Sequence, residues 1–397
     1  MSRTHVDALP PSPAITREQQ LTVGKMWITY ALFYLGRVNL SPVLPALALS
    51  LDVSRAEVGA LGTVFFWVYA VGQFVNGELS SHMSPRRIIT IGLLVIALVN
   101  LAFSVQTSLI VMMVLWGING FAQSMGWSPM LRIIAERFDR AQVKRVSTIM
   151  PLSYVFGTAL TWAFIGFIAS GTEWRIAFWL PGLILLGVLV FWWSTGIDAP
   201  KANSSGFQPG NILAEMRAIW FVLIVGALVG SIQIGGLIWL PTYIADTGLV
   251  PERIVGLTAA LFQIIALIGL FIARYQVNRS GKVFATTANL LAVTVFALIL
   301  AVITTDALSL IAIALSLLAL NGAVGLIVSS MPLILSTPGR ASSVAGTVNA
   351  VSNIGGGASG IVVGALAEAN GWNAVFILWA VSAVIAIGLI WTNRPAE

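Results

Sequence analysis

Arg37 lies in a run from Met26 to Leu51 that carries no other formal charge. A stretch of that length and apolarity is a candidate membrane span. An arginine near its centre costs at least about 2.5–3.5 kcal/mol to insert and is kept where it faces a cavity, with a partner or a ligand to hold. The chemistry it offers is capture of an anion by a planar, permanently charged fork of donors. The apolar segments hold almost no acid to answer it, because Glu78, Asp246 and Glu368 all fall near predicted ends. Groups that could read the rest of a ligand at that depth are Tyr30, Tyr34, Tyr154, Gln73, Gln233 and Trp127, with Gln123, Asn39, Asn349 and Asn353 as further candidates. Each also has a packing interpretation, since buried amides bridge helices and buried tyrosines and tryptophans fill contacts.

Catalysis and metal binding find little support. The chain has no cysteine, and its two histidines, His5 and His82, lie outside the apolar segments. The serines and threonines there have no base to activate them. The sequence therefore predicts no enzyme, no metal and no cofactor.

The chain of 397 residues is 58% hydrophobic and only 9% charged, which describes an all-α polytopic membrane protein. Apolar stretches fall near 26–50, 56–79, 88–105, 107–134, 146–169, 175–194, 217–244, 254–275, 283–304, 308–336, 343–367 and 373–391. That pattern predicts twelve transmembrane helices in a lipid bilayer. The pI near 10 does not imply nucleic acid, because the basic residues follow loop parity. Arg86, Arg87, Arg132, Arg137, Arg140, Lys144, Arg145, Lys201, Arg217, Arg274, Arg279, Lys282 and Arg340 fall on one side with both tails, whereas Arg55, Arg175 and Arg253 fall on the other. Both termini are expected in the cytoplasm, in a cell membrane such as a bacterial inner membrane. The expected organisation is a tail at 1–24, six helices over 25–194, a polar linker over 195–214, six more over 215–391 and a short tail at 392–397.

The two halves echo each other. Pro45 and Pro241 stand 196 positions apart, and the same offset carries Arg37 onto Gln233. Thr148, Ser153 and Gly157 match Thr347, Ser352 and Gly356, and Asn119-Gly120 matches Asn321-Gly322. Parallel six-helix repeats related by an axis along the membrane normal place a ligand between the halves near the midplane, so Gln233 should face Arg37. The Gly356, Gly360, Gly364 series is expected to serve close helix packing.

Tyr30-x3-Tyr34-x2-Arg37-x-Asn39 with Pro42 and Pro45 resembles the first helix of the organophosphate:phosphate antiporters of the major facilitator superfamily. Gln123-x-Met125-Gly126-Trp127-Ser128-Pro129-x2-Arg132 is similar to that family's fourth helix, and Trp239-Leu240-Pro241-Thr242-Tyr243 to the end of its seventh. The resemblance implies the major facilitator fold of two pseudo-symmetric six-helix bundles, a functional monomer and alternating access, with exchange for a counter-anion or cotransport with a proton. It also implies three further basic residues at the site, where this chain has Gln233, Gln73 and Tyr154. A phosphate monoester carries about −1.5 to −2 charges at pH 7, so a lone arginine fits a small organic anion of about one net charge better, a carboxylate or phosphonate. The family's gating loop is altered to Gly77-x3-Ser81-His82 followed by Arg86-Arg87, and the second-half loop reads Asn278-Arg279. The competing functions are an anion sensor of the same fold, which would bind without flux, and a multidrug exporter, which would require an acidic cavity.

Overall fold

The computed structural model describes residues 15–170, 173–199, 216–217, 219–304, 306–336 and 341–395. Most of the expected linker lies outside these residues, as do the first fourteen positions, Lys201 and Arg340. Twelve helices among the described residues are long and apolar enough to cross a membrane. They are α1 Arg17–Leu51, α2 Arg55–Ser80, α3 Pro85–Ser104, α4 Leu109–Arg137, α5 Arg145–Ala169, α6 Ile176–Ser194, α7 Trp220–Asp246, α8 Glu252–Ser280, α9 Val283–Ile303, α10 Ala307–Leu335, α11 Val344–Asn370 and α12 Trp372–Asn393. An even number of crossings puts both ends of the chain on one side, called the terminal side below.

The helices match the apolar stretches to within a few residues except at α1, which begins at Arg17 rather than near Met26. Thr16 and Gln19 form a reciprocal cap: the Gln19 N–H donates to Thr16 Oγ1 at 3.2 Å, and the Thr16 N–H donates to Gln19 Oε1 at 3.0 Å. Such a box starts a helix whether or not the following turn is apolar, and hydropathy alone cannot see it.

The larger departure is that α1 is broken. Regular helix stops at Phe33, a 3-10 turn covers Tyr34–Gly36, and Arg37 to Leu40 are irregular before a second 3-10 turn at Ser41–Val43. Pro42 and Pro45 lack the N–H that would bond the carbonyls four residues earlier. Freed polar groups inside a membrane protein must be met by neighbours, and α4 meets two of them. Asn119 Nδ2 donates to Gly36 O at 2.7 Å and Gln123 Nε2 donates to Phe33 O at 3.0 Å. Four residues apart, these amides share one face of α4. Asn39 holds the other side of the break, donating to Asn100 Oδ1 at 2.9 Å and to Ala177 O at 2.7 Å. Replacing Gln123 with alanine should therefore leave a buried carbonyl unanswered and cost roughly 1–3 kcal/mol, read as a lower melting temperature of the detergent-purified protein. Unchanged melting would show that the break needs no support from α4.

Between the halves, α2 packs on α11 and α5 on α8. Away from the terminal side the approach is backbone to backbone. A Cβ on Gly59 would lie 2.0 Å from Gly360 O, and one on Gly166 would lie 2.6 Å from Gly256 Cα. The seam is also tied by polar contacts. Thr63 Oγ1 donates to Gly357 O at 2.7 Å and Trp67 Nε1 to Ile354 O at 3.0 Å. At its far end Arg55 pairs with Asp246 at 2.5 Å while its backbone N–H donates to Glu368 at 2.8 Å. Toward the terminal side the same two helices part: nothing lies within 4 Å of where a Cβ would stand on Gly77 of α2 or Gly346 of α11. The halves are thus closed on one side and splayed on the terminal side.

Candidate functional site: a cavity between the halves

A cavity of about 390 Å³ lies between the two bundles, with walls from both. The break in α1 puts Arg37 on its wall. The guanidinium carbon stands 4.4 Å from the ring centre of Tyr69, 5.2 Å from Tyr34, and 5.6 and 5.7 Å from Phe65 and Phe66. Cation–π contacts of this kind contribute roughly 0.5–2 kcal/mol, offsetting part of the cost of burial while leaving the full positive charge in place. The described ion pairs join Arg55 with Asp246, His82 with Glu78, Arg132 with Glu136 and Arg175 with Glu173, all near helix ends. None involves Arg37, whose Nε is buried without a hydrogen-bond partner.

Gln233, on α7, lines the same cavity from the second bundle. Tyr30, Tyr34, Gln73, Trp127, Tyr154, Asn349 and Asn353 line it too. The rings pair along the first-bundle wall, Tyr30 with Trp127 at 5.1 Å and Tyr34 with Tyr154 at 6.1 Å. Gln73 bridges the bundles by accepting from Asn349 Nδ2 at 3.2 Å. Asn353 Nδ2 is already used, donating to Asn349 O at 2.7 Å.

Two candidates do not line the cavity. Asn39 and Gln123 are fully buried and their amide N–H groups are engaged in supporting the broken α1; their function is to hold the backbone that presents Arg37. The cavity also takes in polar residues outside the candidate set: Tyr69, Gln263 and Asn321, together with Thr158, Ser329 and Ser352. Tyr69 sits one helical turn before Gln73 and was legible from that spacing. Gln263 is the one amide in the part of α8 that precedes Arg274, and Asn321 is the repeat partner of Asn119.

The expected gating residues stand apart from the closed seam. The Arg86 guanidinium lies over the Trp193 ring at 4.2 Å and bonds the Trp193 carbonyl, and its backbone N–H donates to Asp198, all within the first half. Arg87, Asn278 and Arg279 make no side-chain hydrogen bond or ion pair across the halves among the described residues. The contacts that close the molecule are instead those around Arg55, on the opposite side.

Residues 26–360 match the Major Facilitator Superfamily. The chain belongs to that superfamily. Among relatives, this facilitator is 29% identical over 163 residues to a probable hexose phosphate transport protein of Chlamydia pneumoniae, covering 41% of this chain and 36% of that one. It is 30% identical over 178 residues to the membrane sensor protein UhpC of Salmonella typhimurium, covering 45% of this chain and 40% of that one. The matched segments thus span well under half the length of these curated relatives. In fold it is similar to a bacterial homologue of the human lysosomal transporter Spinster, with TM-score 0.81 over 96% of this chain and 97% of that one at 14% identity. Neither relative is named as an enzyme.

Proposed function

We propose that this facilitator is a secondary transporter that carries a small organic anion of about one net negative charge by alternating access. The observation that carries the reading is Arg37, a guanidinium on the cavity wall with no carboxylate beside it and no second basic residue among the cavity's lining. One carboxylate or phosphonate monoanion neutralises it, whereas a second negative charge in a low-dielectric cavity stays uncompensated. Gln233 and Gln263 make no side-chain hydrogen bond among the described residues, so their amides remain able to read neutral groups on the same ligand. The basic residues concentrate on the terminal side, which supports cytoplasmic termini and a cavity open to the cytoplasm. The protein would work as a monomer in a bacterial inner membrane, in exchange for a second anion or together with a proton.

Counterflow into proteoliposomes, comparing phosphate esters with matched carboxylates, tests this. The monoanions should exchange faster. Preference for the dianionic ester, with half-saturation tightening as pH rises through its second ionisation near 6, would overturn the reading. The sensor-like relative gives weight to one alternative, binding without flux; thermal stabilisation by an anion with no counterflow would favour it.

A related variant tests the opposite wall. Gln233→Arg restores a paired cation across the cavity and should shift competition roughly tenfold or more toward dianionic phosphate compounds. Unaltered selectivity in a correctly inserted variant would remove Gln233 from the site.

A further inference from the structure

The cavity changes character with depth, and the change repeats on several helices. On α1, Tyr34 and Tyr30 lie about one and two turns from Arg37 toward the terminal side. On α10, Val324 and Val328 follow Asn321 by the same steps, and Asn321 is the repeat partner of Asn119, which bonds the carbonyl beside Arg37. On α8, Leu270 lies two turns beyond Gln263. All of these line the cavity. The deep end therefore gathers Arg37, Gln233, Gln263 and Asn321, and the part toward the terminal side is a slot. One wall of the slot is aromatic, with Tyr30 against Trp127 at 5.1 Å. The other is mainly aliphatic, formed by Leu270, Val324 and Val328, with Ser329 the one hydroxyl beside them. The amides on the polar edge between these walls are partly committed to one another, because Gln73 accepts from Asn349 and Asn353 donates to the Asn349 carbonyl.

A polyhydroxylated body seated in that slot would surrender water from hydroxyls that meet valine and leucine side chains and find no partner. A flat apolar ring would instead cover apolar surface on both faces. We propose that the substrate is an amphiphilic monoanion, its charged end at Arg37 and its body a single apolar ring, the chemistry of aryl and arylalkyl carboxylates. This rests on the monoanion reading above and adds the nature of the uncharged part.

Three probes separate the two claims in the same proteoliposomes: 3-phenylpropanoate, gluconate and glucose 6-phosphate. The half-saturation concentration for 3-phenylpropanoate should be roughly tenfold or more below that for gluconate, a discrimination within reach of an apolar pocket. Val324→Asn, which puts an amide on the aliphatic wall, should raise the value for 3-phenylpropanoate several-fold relative to the value for gluconate. Because that variant places a polar group in a membrane helix, thermal stabilisation of the unaltered protein provides a second readout and should rank the probes in the same order. Gluconate equal to or better than 3-phenylpropanoate would overturn the apolar body and leave the single charge standing. Preference for glucose 6-phosphate, or no response to either monoanion, would overturn the monoanion reading and this inference with it.

Discussion

Arg37→Lys is expected to lower counterflow of the preferred monoanion roughly 100-fold while the purified protein keeps its elution profile and melts within a few degrees of the parent. The size follows from losing a two-point, charge-assisted contact worth about 1.5–3 kcal/mol, at 1.4 kcal/mol per tenfold. Lysine keeps the charge but offers a compact point cation in place of a planar fork. It also lacks the flat face that lies 4.4 Å from the Tyr69 ring. Folding should be spared because the break in α1 is held by Asn39, which donates to Asn100 and the Ala177 carbonyl, and by Asn119 and Gln123, which donate to α1 carbonyls, and none of these bonds involves the Arg37 side chain. Near-normal uptake by the lysine variant would reduce Arg37 to a structural cation.

That division of labour marks where sequence reasoning reached and where it stopped. A lone charge in an apolar run and the repeat that projects Arg37 onto Gln233 are both properties of spacing, and both residues line the cavity. The role of Asn39 and Gln123 could not be read that way, because it depends on carbonyls freed by a helix break. Pro42 and Pro45 were the available sign of that break, since each removes one helical hydrogen bond. Discontinuous helices at the midplane are also where carriers present polar backbone. The closed seam was half legible. The spacing of Gly356, Gly360 and Gly364 announced close packing, and Gly360 does meet Gly59. That the partner is α2, in the other half, is a matter of which side is shut. Basic residues drew attention to the terminal side for gating, whereas the Arg55, Asp246 and Glu368 cluster on the far side ties the halves.

Gly360→Val is expected to hold that far side open and to reduce counterflow about 10- to 100-fold, although the ligand can still bind. A Cβ at this position would lie 2.2 Å from Gly59 O, 2.6 Å from Thr63 Oγ1 and 2.9 Å from Thr63 N. Two of those three atoms belong to backbone inside a membrane helix and cannot swing aside, so α2 and α11 must separate. Overpacking of this kind costs roughly 1–3 kcal/mol. The cost falls only on conformations in which the two helices touch, which shifts the population toward those in which they do not. The chain's lack of cysteine makes the shift measurable: Leu237→Cys, on the cavity wall, can be labelled with an impermeant maleimide added to right-side-out vesicles. Labelling from outside should be slow in the parent and faster by at least several-fold once Gly360→Val is added. Gly388→Ala on α12, where nothing lies within 4 Å of the new Cβ, controls for the mere addition of a methyl group and should change neither labelling nor flux. Equal labelling with and without Gly360→Val, together with full counterflow, would mean that α2 and α11 do not part during the cycle and that the halves open along the α5 and α8 seam alone.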